Sequence, residues 1–253
     1  MSEEAFFNYL ILSWFLLAFV IFISLFFFTA PYGRHTRNNW GPTLGSKGGW
    51  LIMEAAAPLI FVIFFLLGSN PITVTPIVFL IMWEAHYIHR SFIYPFSLRG
   101  QAKRMTIIVV VFAFIFNTAN GYLNSRYIFT LSDGYTNQWL WDPRFIIGLG
   151  LFITGFVINR LADFTLRNLR KADDSDYKIP HGEMYKWISC PNYLGEIVTW
   201  IGWATATWSL PGLAFAIWTI ANLVPRAKAH HAWYHKRFAN YPTERKALVP
   251  KLW

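Results

Sequence analysis

Cys190-Pro191-Asn192-Tyr193-Leu194-Gly195-Glu196 leads into the apolar run Ile197 to Trp208, so a polar pair stands at the head of an otherwise hydrophobic helix. Pro191 suits the first helical turn, where its missing N–H is no loss, with Ser189 or Cys190 at the cap. Asn192 and Glu196 lie four residues apart and share a face. A carboxylate at the mouth of such a helix needs partners, and other helices carry polar groups at the same spacing.

Outward from this stretch the chain is apolar. Of its 253 residues 55% are hydrophobic, 19% aromatic and only 14% charged, against roughly 25% charged in soluble domains. Apolar runs approaching the about 20 residues that cross a bilayer fall at 6–29, 50–67, 72–86, 105–122, 145–162, 188–208 and 213–223, the last continuing as helix past Pro225. The expected fold is an all-α integral membrane protein of seven transmembrane helices, with residues 1–253 as one domain. Ser2, Glu3 and Glu4 precede the first run in place of the basic segment of a signal peptide, so it is expected to remain as a helix. The single cysteine, Cys190, excludes an internal disulfide and a cysteine metal cage.

The charge is segregated. Of the 22 Lys and Arg residues, 20 fall in 30–47, 90–104, 160–187 and 225–253, leaving only Arg126 and Arg144 elsewhere. Seven spans put those four segments on one side and 68–71, 123–144 and 209–212 on the other. The positive-inside rule then places the N-terminus outside and the C-terminus in the cytoplasm. The net charge of +9 is thus a topology signal, and no nucleic acid partner is expected.

The first run has no Asp, Glu, Lys, Arg or His and reads as lipid-facing wall. Glu54 lies inside Leu51-Ile52-Met53-Glu54-Ala55-Ala56-Ala57-Pro58, and an intramembrane carboxylate is a functional candidate by default. Pro58 withdraws the donor that would bond the Glu54 carbonyl, which opens room beside it. Tyr87, Arg90 and Tyr94 follow at intervals of three and four on one face, with Glu84 and Ile88 elsewhere on the circumference. Asn159, Asp163, Arg167 and Arg170 form a second stripe, and Arg226, His230 and Tyr234 a third. The run 105–122 and the connection from Asn124 to Asp142, which bears Trp139 and Trp141, read as an interfacial belt without chemistry.

Seven histidines without three clusters of metal-ligand spacing argue against a di-iron centre, so no metal is expected. No Gly-x-Gly-x-x-Gly follows a strand, which excludes a Rossmann domain. Arg99, Arg167, Arg170 and Arg226 offer planar forks for phosphates, while Asn159, Asp163, Asn192 and Glu196 suit an amide or a ribose. A transporter or receptor that binds without reacting would use the same cavity.

The runs Pro-Asn-Tyr-Leu-Gly-Glu at 191–196, His-Tyr-Ile-His-Arg at 86–90, Tyr-Lys-Ile-Pro at 177–180 and Arg-Lys-Ala-Leu-Val-Pro at 245–250 together resemble the steroid 5α-reductases over nearly the whole chain. Asn-Tyr-Leu-Gly alone is shared with other sterol reductases and isoprenylcysteine methyltransferases, which form the alternative class. The resemblance implies NADPH-dependent reduction of the C4–C5 double bond of a 3-oxo-Δ4-steroid. A monomer is expected, crossing many times either the endoplasmic reticulum membrane or the bacterial inner membrane, which obey the same charge rule. Glu54 and Tyr87 would grip the 3-oxo oxygen, and Asn159, Asp163, Arg170, Tyr177, Asn192, Glu196, His230 and Tyr234 would line the cofactor site. Arg167 and Arg226 join them as phosphate forks. Met53 stands where the family often has Gln, which bears on the steroid accepted. Hydride addition to an enone builds negative charge on the carbonyl oxygen, so Tyr87 serves as a donor in a dry site, with Glu54 orienting it or sharing its proton.

Overall fold

The computed structural model describes residues 1–28, 41–97, 104–169 and 177–253. Among them are seven helices of at least fifteen residues: α1 (Glu3–Phe27), α2 (Ser46–Leu66), α3 (Val74–Ile88), α5 (Ile107–Arg126), α6 (Pro143–Asn168), α7 (Pro191–Thr207) and α8 (Leu210–Arg237). A single turn, α4 (Tyr94–Ser97), follows α3 after a five-residue π segment, His89–Ile93. α1, α2, the run Ile107–Leu131 and α6 are long and apolar enough to cross a membrane.

The architecture is all-α apart from a two-stranded antiparallel ribbon, β1 (Thr43–Gly45) with β2 (Arg104–Thr106), in which Leu44 faces Met105. Met105 therefore belongs to a strand and not to the span expected at 105–122. Three residues are too short for a period to announce them.

Helix starts follow local chemistry. Pro191 occupies the first turn of α7 behind Cys190, as the sequence requires. Asp142 caps α6 by accepting from the Arg144 backbone N–H at 2.9 Å, with Pro143 next in line. The Arg144 guanidinium also bonds that carboxyl and holds it down at about 2, so the cap is ionised at neutral pH. α8 continues through Pro225 to Arg237 without a break.

α1 behaves as wall. Phe7, Ile11, Trp14 and Ala18, spaced four, three and four, form its buried strip, while Leu12, Leu16, Phe19, Val20 and Ile23 are exposed. The strip rests on α8, where the Trp218 indole donates to the Trp14 carbonyl at 2.8 Å.

α6 and α7 approach each other far more closely. Gly148 and Gly155 on α6, and Gly195 and Gly202 on α7, recur at seven-residue intervals along the contact. A Cβ at Gly155 would lie 2.3 Å from the Thr199 backbone nitrogen, and one at Gly195 would lie 2.5 Å from that of Asn159. Only glycine permits this spacing, the usual device for joining helices in a bilayer where the hydrophobic effect is absent.

The charge-poor connections meet at one end of the bundle. Asn70 donates to the Ile128 and Ser132 carbonyls, the Tyr135 hydroxyl to the Thr207 carbonyl and the Trp139 indole to the Ala206 carbonyl. Glu3 of α1 joins them through a two-pronged pair with Arg126, at 2.5 and 2.8 Å. At the opposite end the basic C-terminal tail is tied down, with Ile188 bridged to Lys246 in parallel and Arg245 donating to the Pro180 carbonyl at 3.0 Å.

Candidate active site

Glu54 is buried in the middle of α2. Its carboxylate accepts from the Asn117 amide of α5 at 3.4 Å and faces the Arg90 guanidinium at 3.5 Å. The same Asn117 nitrogen donates to the Met53 carbonyl at 2.7 Å, which fixes the amide. The Met53 side chain packs with Met105 and Val110. Arg90 lies over the Trp50 ring, 4.9 Å from its centroid.

Arg90 reaches this position from within the π segment. The extra residue in such a turn rotates everything after it, and these bulges concentrate at functional sites. The regular face drawn through Tyr87, Arg90 and Tyr94 is therefore interrupted after Ile88. Tyr87, still on α3, is 3% exposed and packs its ring against Trp83 and Trp200 at centroid distances of 4.9 and 5.8 Å. No hydrogen bond joins Tyr87 to Glu54; its hydroxyl lies beside the Asn120 amide of α5.

A second cluster forms where the glycine contact brings α6 onto α7. The Asn159 amide donates to Glu196 at 2.9 Å and to the Asn192 carbonyl at 2.8 Å. Asn192 donates to Asp163 at 3.4 Å. Glu196 also accepts from the Trp200 indole at 3.0 Å and faces His86 Nε2 at 3.3 Å. Arg160 binds the Asn159 side-chain oxygen and the His89 ring and stands 3.9 Å from Asp163.

Four expected residues, Asn159, Asp163, Asn192 and Glu196, are thus brought into one hydrogen-bonded set. Tyr177, Arg226, His230 and Tyr234 gather beyond it on the far half of α8. The Arg226 guanidinium lies over the Tyr193 ring at 5.6 Å, His230 packs beside Tyr193 at 5.4 Å, and Tyr177 meets Trp233 at 5.0 Å. Tyr234 is buried and stacks on Tyr241 of the tail at 5.1 Å. Arg167 stays apart, its guanidinium over Phe164 of its own helix. Arg99 and Arg170 lie outside the described residues.

Arg90, which spacing places only on the face of Tyr87 and Tyr94, belongs to the site, and so do His86, Arg160, Asn117 and Asn120, to which the sequence assigns no role. Asn117, Asn120 and Asn124, at intervals of three and four, are the sequence signal of a polar face, in a segment whose composition reads as interfacial belt. Arg160, next to Asn159 and off the stripe, had none.

The profile described as 3-oxo-5-alpha-steroid 4-dehydrogenase matches residues 103–253. The steroid 5-alpha-reductase DET2 of Gossypium hirsutum is 40% identical over 255 residues, covering 98% of this chain and 98% of that protein. The chain belongs to this steroid 5-alpha-reductase family. Animal members are equally similar: the 3-oxo-5-alpha-steroid 4-dehydrogenase 1 of Bos taurus is 40% identical over 240 residues, covering 93% of each chain. The Homo sapiens protein of the same name is 41% identical over 223 residues, covering 87% of this chain and 85% of its own. The matched profile includes all of α5 to α8, and so Asn159, Arg160, Asp163, Asn192 and Glu196; Glu54, His86, Tyr87 and His89 fall within the longer similarity to the plant reductase.

Proposed function

We propose that this chain reduces the C4–C5 double bond of a 3-oxo-Δ4-steroid with NADPH, with Tyr87 and Glu54 at the 3-oxo group. One observation carries the reading. His86 reaches Glu196 while Arg90 reaches Glu54, with Tyr87 between them in sequence, so α3 and its π segment join the two polar clusters.

The donor set of the Glu196 cluster fits a nicotinamide cofactor. It offers two amides, two carboxylates and a guanidinium, and it holds buried nitrogens without partners, Nε of Arg160 and Nδ1 of His86. Such groups suit a carboxamide and ribose hydroxyls. Asn159, Asp163, Asn192 and Glu196 would hold that end. Arg226, His230, Tyr177 and Tyr234, with Arg170, would hold the remainder, the arginines as forks for phosphate.

When bound, NADPH supplies a hydride to C5. The residues of this chain stabilise the negative charge that then develops on the 3-oxo oxygen. Tyr87 donates its hydroxyl to that oxygen, and Glu54, oriented by Asn117 and Arg90, shares the proton. Trp83 and Trp200, which pack on the Tyr87 ring within a core that also holds Trp203 and Phe215, exclude water, and a donor in a dry site is worth more than one in solvent. A solvent proton completes C4. The matching topology has the charge-poor end and N-terminus outside and the basic end cytoplasmic, with residues 1–253 as one domain.

The test uses NADPH deuterated at its transferable C4 position and a 3-oxo-Δ4-steroid such as testosterone. The label is expected at C5 of the product, with hydrogen from solvent at C4. Tyr87→Phe should slow turnover about a hundredfold, the effect of removing a donor worth roughly 2.7–4 kcal/mol; Glu54→Gln, which can no longer share the proton, should slow it about a hundredfold as well, each with NADPH affinity near wild type. Label retained in the cofactor, or consumption of S-adenosylmethionine instead, refutes the reading. Label transfer with Tyr87→Phe at the wild-type rate leaves the reaction standing and removes Tyr87 from it.

A further inference from the structure

α5 brings a row of buried amides to the ketone side of the site. Asn117 is accounted for by its bonds to Glu54 and the Met53 carbonyl, whereas Asn120, 1% exposed, has no part in the mechanism above. We infer that Asn120 is a positioning residue that sets the direction of the Tyr87 hydroxyl, an inference that rests on Tyr87 being the donor to the ketone.

The amide is oriented from behind. Its Oδ1 accepts from Asn124 Nδ2 at 3.1 Å, and that nitrogen also donates to the Asn120 backbone carbonyl at 3.0 Å. Asn124 is fixed in turn, because its Oδ1 accepts the Trp203 indole N–H at 2.8 Å. Donation therefore runs in one direction, from Trp203 to Asn124 to Asn120. Flipping the Asn120 amide would set one NH2 group against another, so the string also assigns which atom is nitrogen.

What remains to Asn120 is its NH2 group, buried and without an acceptor in hydrogen-bond range. The side chain beside it is Tyr87. A buried donor left unpaired is costly, and a small closure onto the phenol oxygen satisfies it. The consequence lies in the arithmetic of a hydroxyl, which has a single proton to donate and lone pairs to accept. With the Asn120 amide donating to the oxygen, the O–H cannot point toward α5 and turns to the opposite side. Density drawn onto the phenol oxygen as its proton is shared with the ketone is also stabilised by the amide dipole, which strengthens the donor when it is needed. α5 thereby provides one amide for each ketone-facing group, Asn117 for Glu54 and Asn120 for Tyr87.

A double-mutant cycle tests this. Single-turnover hydride transfer, NADPH affinity and steroid KM are measured for Asn120→Leu, Tyr87→Phe and the double variant. Asn120→Leu should slow transfer about tenfold, the size expected for one lost hydrogen bond, with NADPH affinity and steroid KM near wild type. In the Tyr87→Phe background it should have no further effect, because no hydroxyl is left to set. Should Asn120→Leu not yield folded protein, Asn120→Ala removes the amide without adding bulk and is read in the same cycle. Equal losses in both backgrounds, or a fall in NADPH affinity that tracks the rate, would make Asn120 a packing residue and overturn the inference while Tyr87 keeps its role. A wild-type rate in Asn120→Leu overturns it as well. Tyr87→Phe at the wild-type rate removes the underlying reading, and this inference with it.

Discussion

Glu196 and Glu54 are both buried carboxylates, yet their surroundings are built by different means. Around Glu196, α6 and α7 touch backbone to backbone through four glycines, and Asn159 meets its acceptors at 2.8 and 2.9 Å. Around Glu54, large rings set the spacing: Phe61 stacks on Trp83 at 4.5 Å, and Trp83 meets Trp203 at 5.2 Å. On that side a Cβ at Gly121 of α5 would lie 3.3 Å from the Ala57 carbonyl oxygen of α2, an ångström more than the closest contact at Gly155. Contacts to Glu54 are correspondingly longer, 3.4 and 3.5 Å. The Glu196 side is thus set by close main-chain packing. The Glu54 side depends on longer side-chain contacts, which have room to tighten, as catalytic contacts often do.

The largest effect that could break this contrast is on folding. Gly155→Val would force α6 and α7 apart and should remove about 3 kcal/mol or more, giving little folded protein. Gly121→Ala should cost about 1 kcal/mol, a modest fall in the melting temperature of the detergent-solubilised protein. Equal losses at the two glycines would mean that the helix pairs are no different in closeness.

A smaller effect sharpens the division of labour. Glu196→Gln keeps the shape but loses the charged acceptor for Asn159, Trp200 and His86, so NADPH affinity should fall about tenfold, as for a lost charge-assisted bond. Glu54→Gln should leave that affinity within about twofold of wild type, since Glu54 pairs with Asn117 and Arg90 and makes none of the hydrogen bonds that hold the Glu196 cluster. Fluorescence titration with NADPH would decide, and a similar fall in both variants would merge the two clusters into one.

The smallest effect is expected farthest away. Glu3→Gln breaks the pair with Arg126 at the charge-poor end, where the Glu3 side chain is 44% exposed. Exposed pairs contribute within about 1 kcal/mol, so stability should change little and turnover not at all. A large loss of turnover would mean that the seating of α1 controls the site.

Much of this was open to reading along the chain. Pro191 at a helix start, α8 continuing past Pro225 and the polar faces of α6 and α7 all follow from local rules of periodicity and capping. Arg167 shows where such rules stop. Spacing places it on the face of Asn159 and Asp163, but α7 begins at Pro191, opposite Asp163, and one turn farther along α6 there is no α7 to meet. The π segment at His89–Ile93 is equally hidden, since an inserted residue leaves no composition to recognise, and with it went the role of Arg90.

By itself the sequence determined that the chain is a helical membrane protein with basic and charge-poor ends, and which residues share each helical face. Hydropathy and the 3.6-residue period are properties of neighbours, and they need no knowledge of the rest of the fold. Which carboxylate meets which partner was decided only in three dimensions. Asn159 reaches Glu196 because glycines let two backbones nearly touch, and Asn117 reaches Glu54 across a wider, ring-spaced gap. Those distances depend on packing between segments far apart in the chain, and no local pattern encodes them.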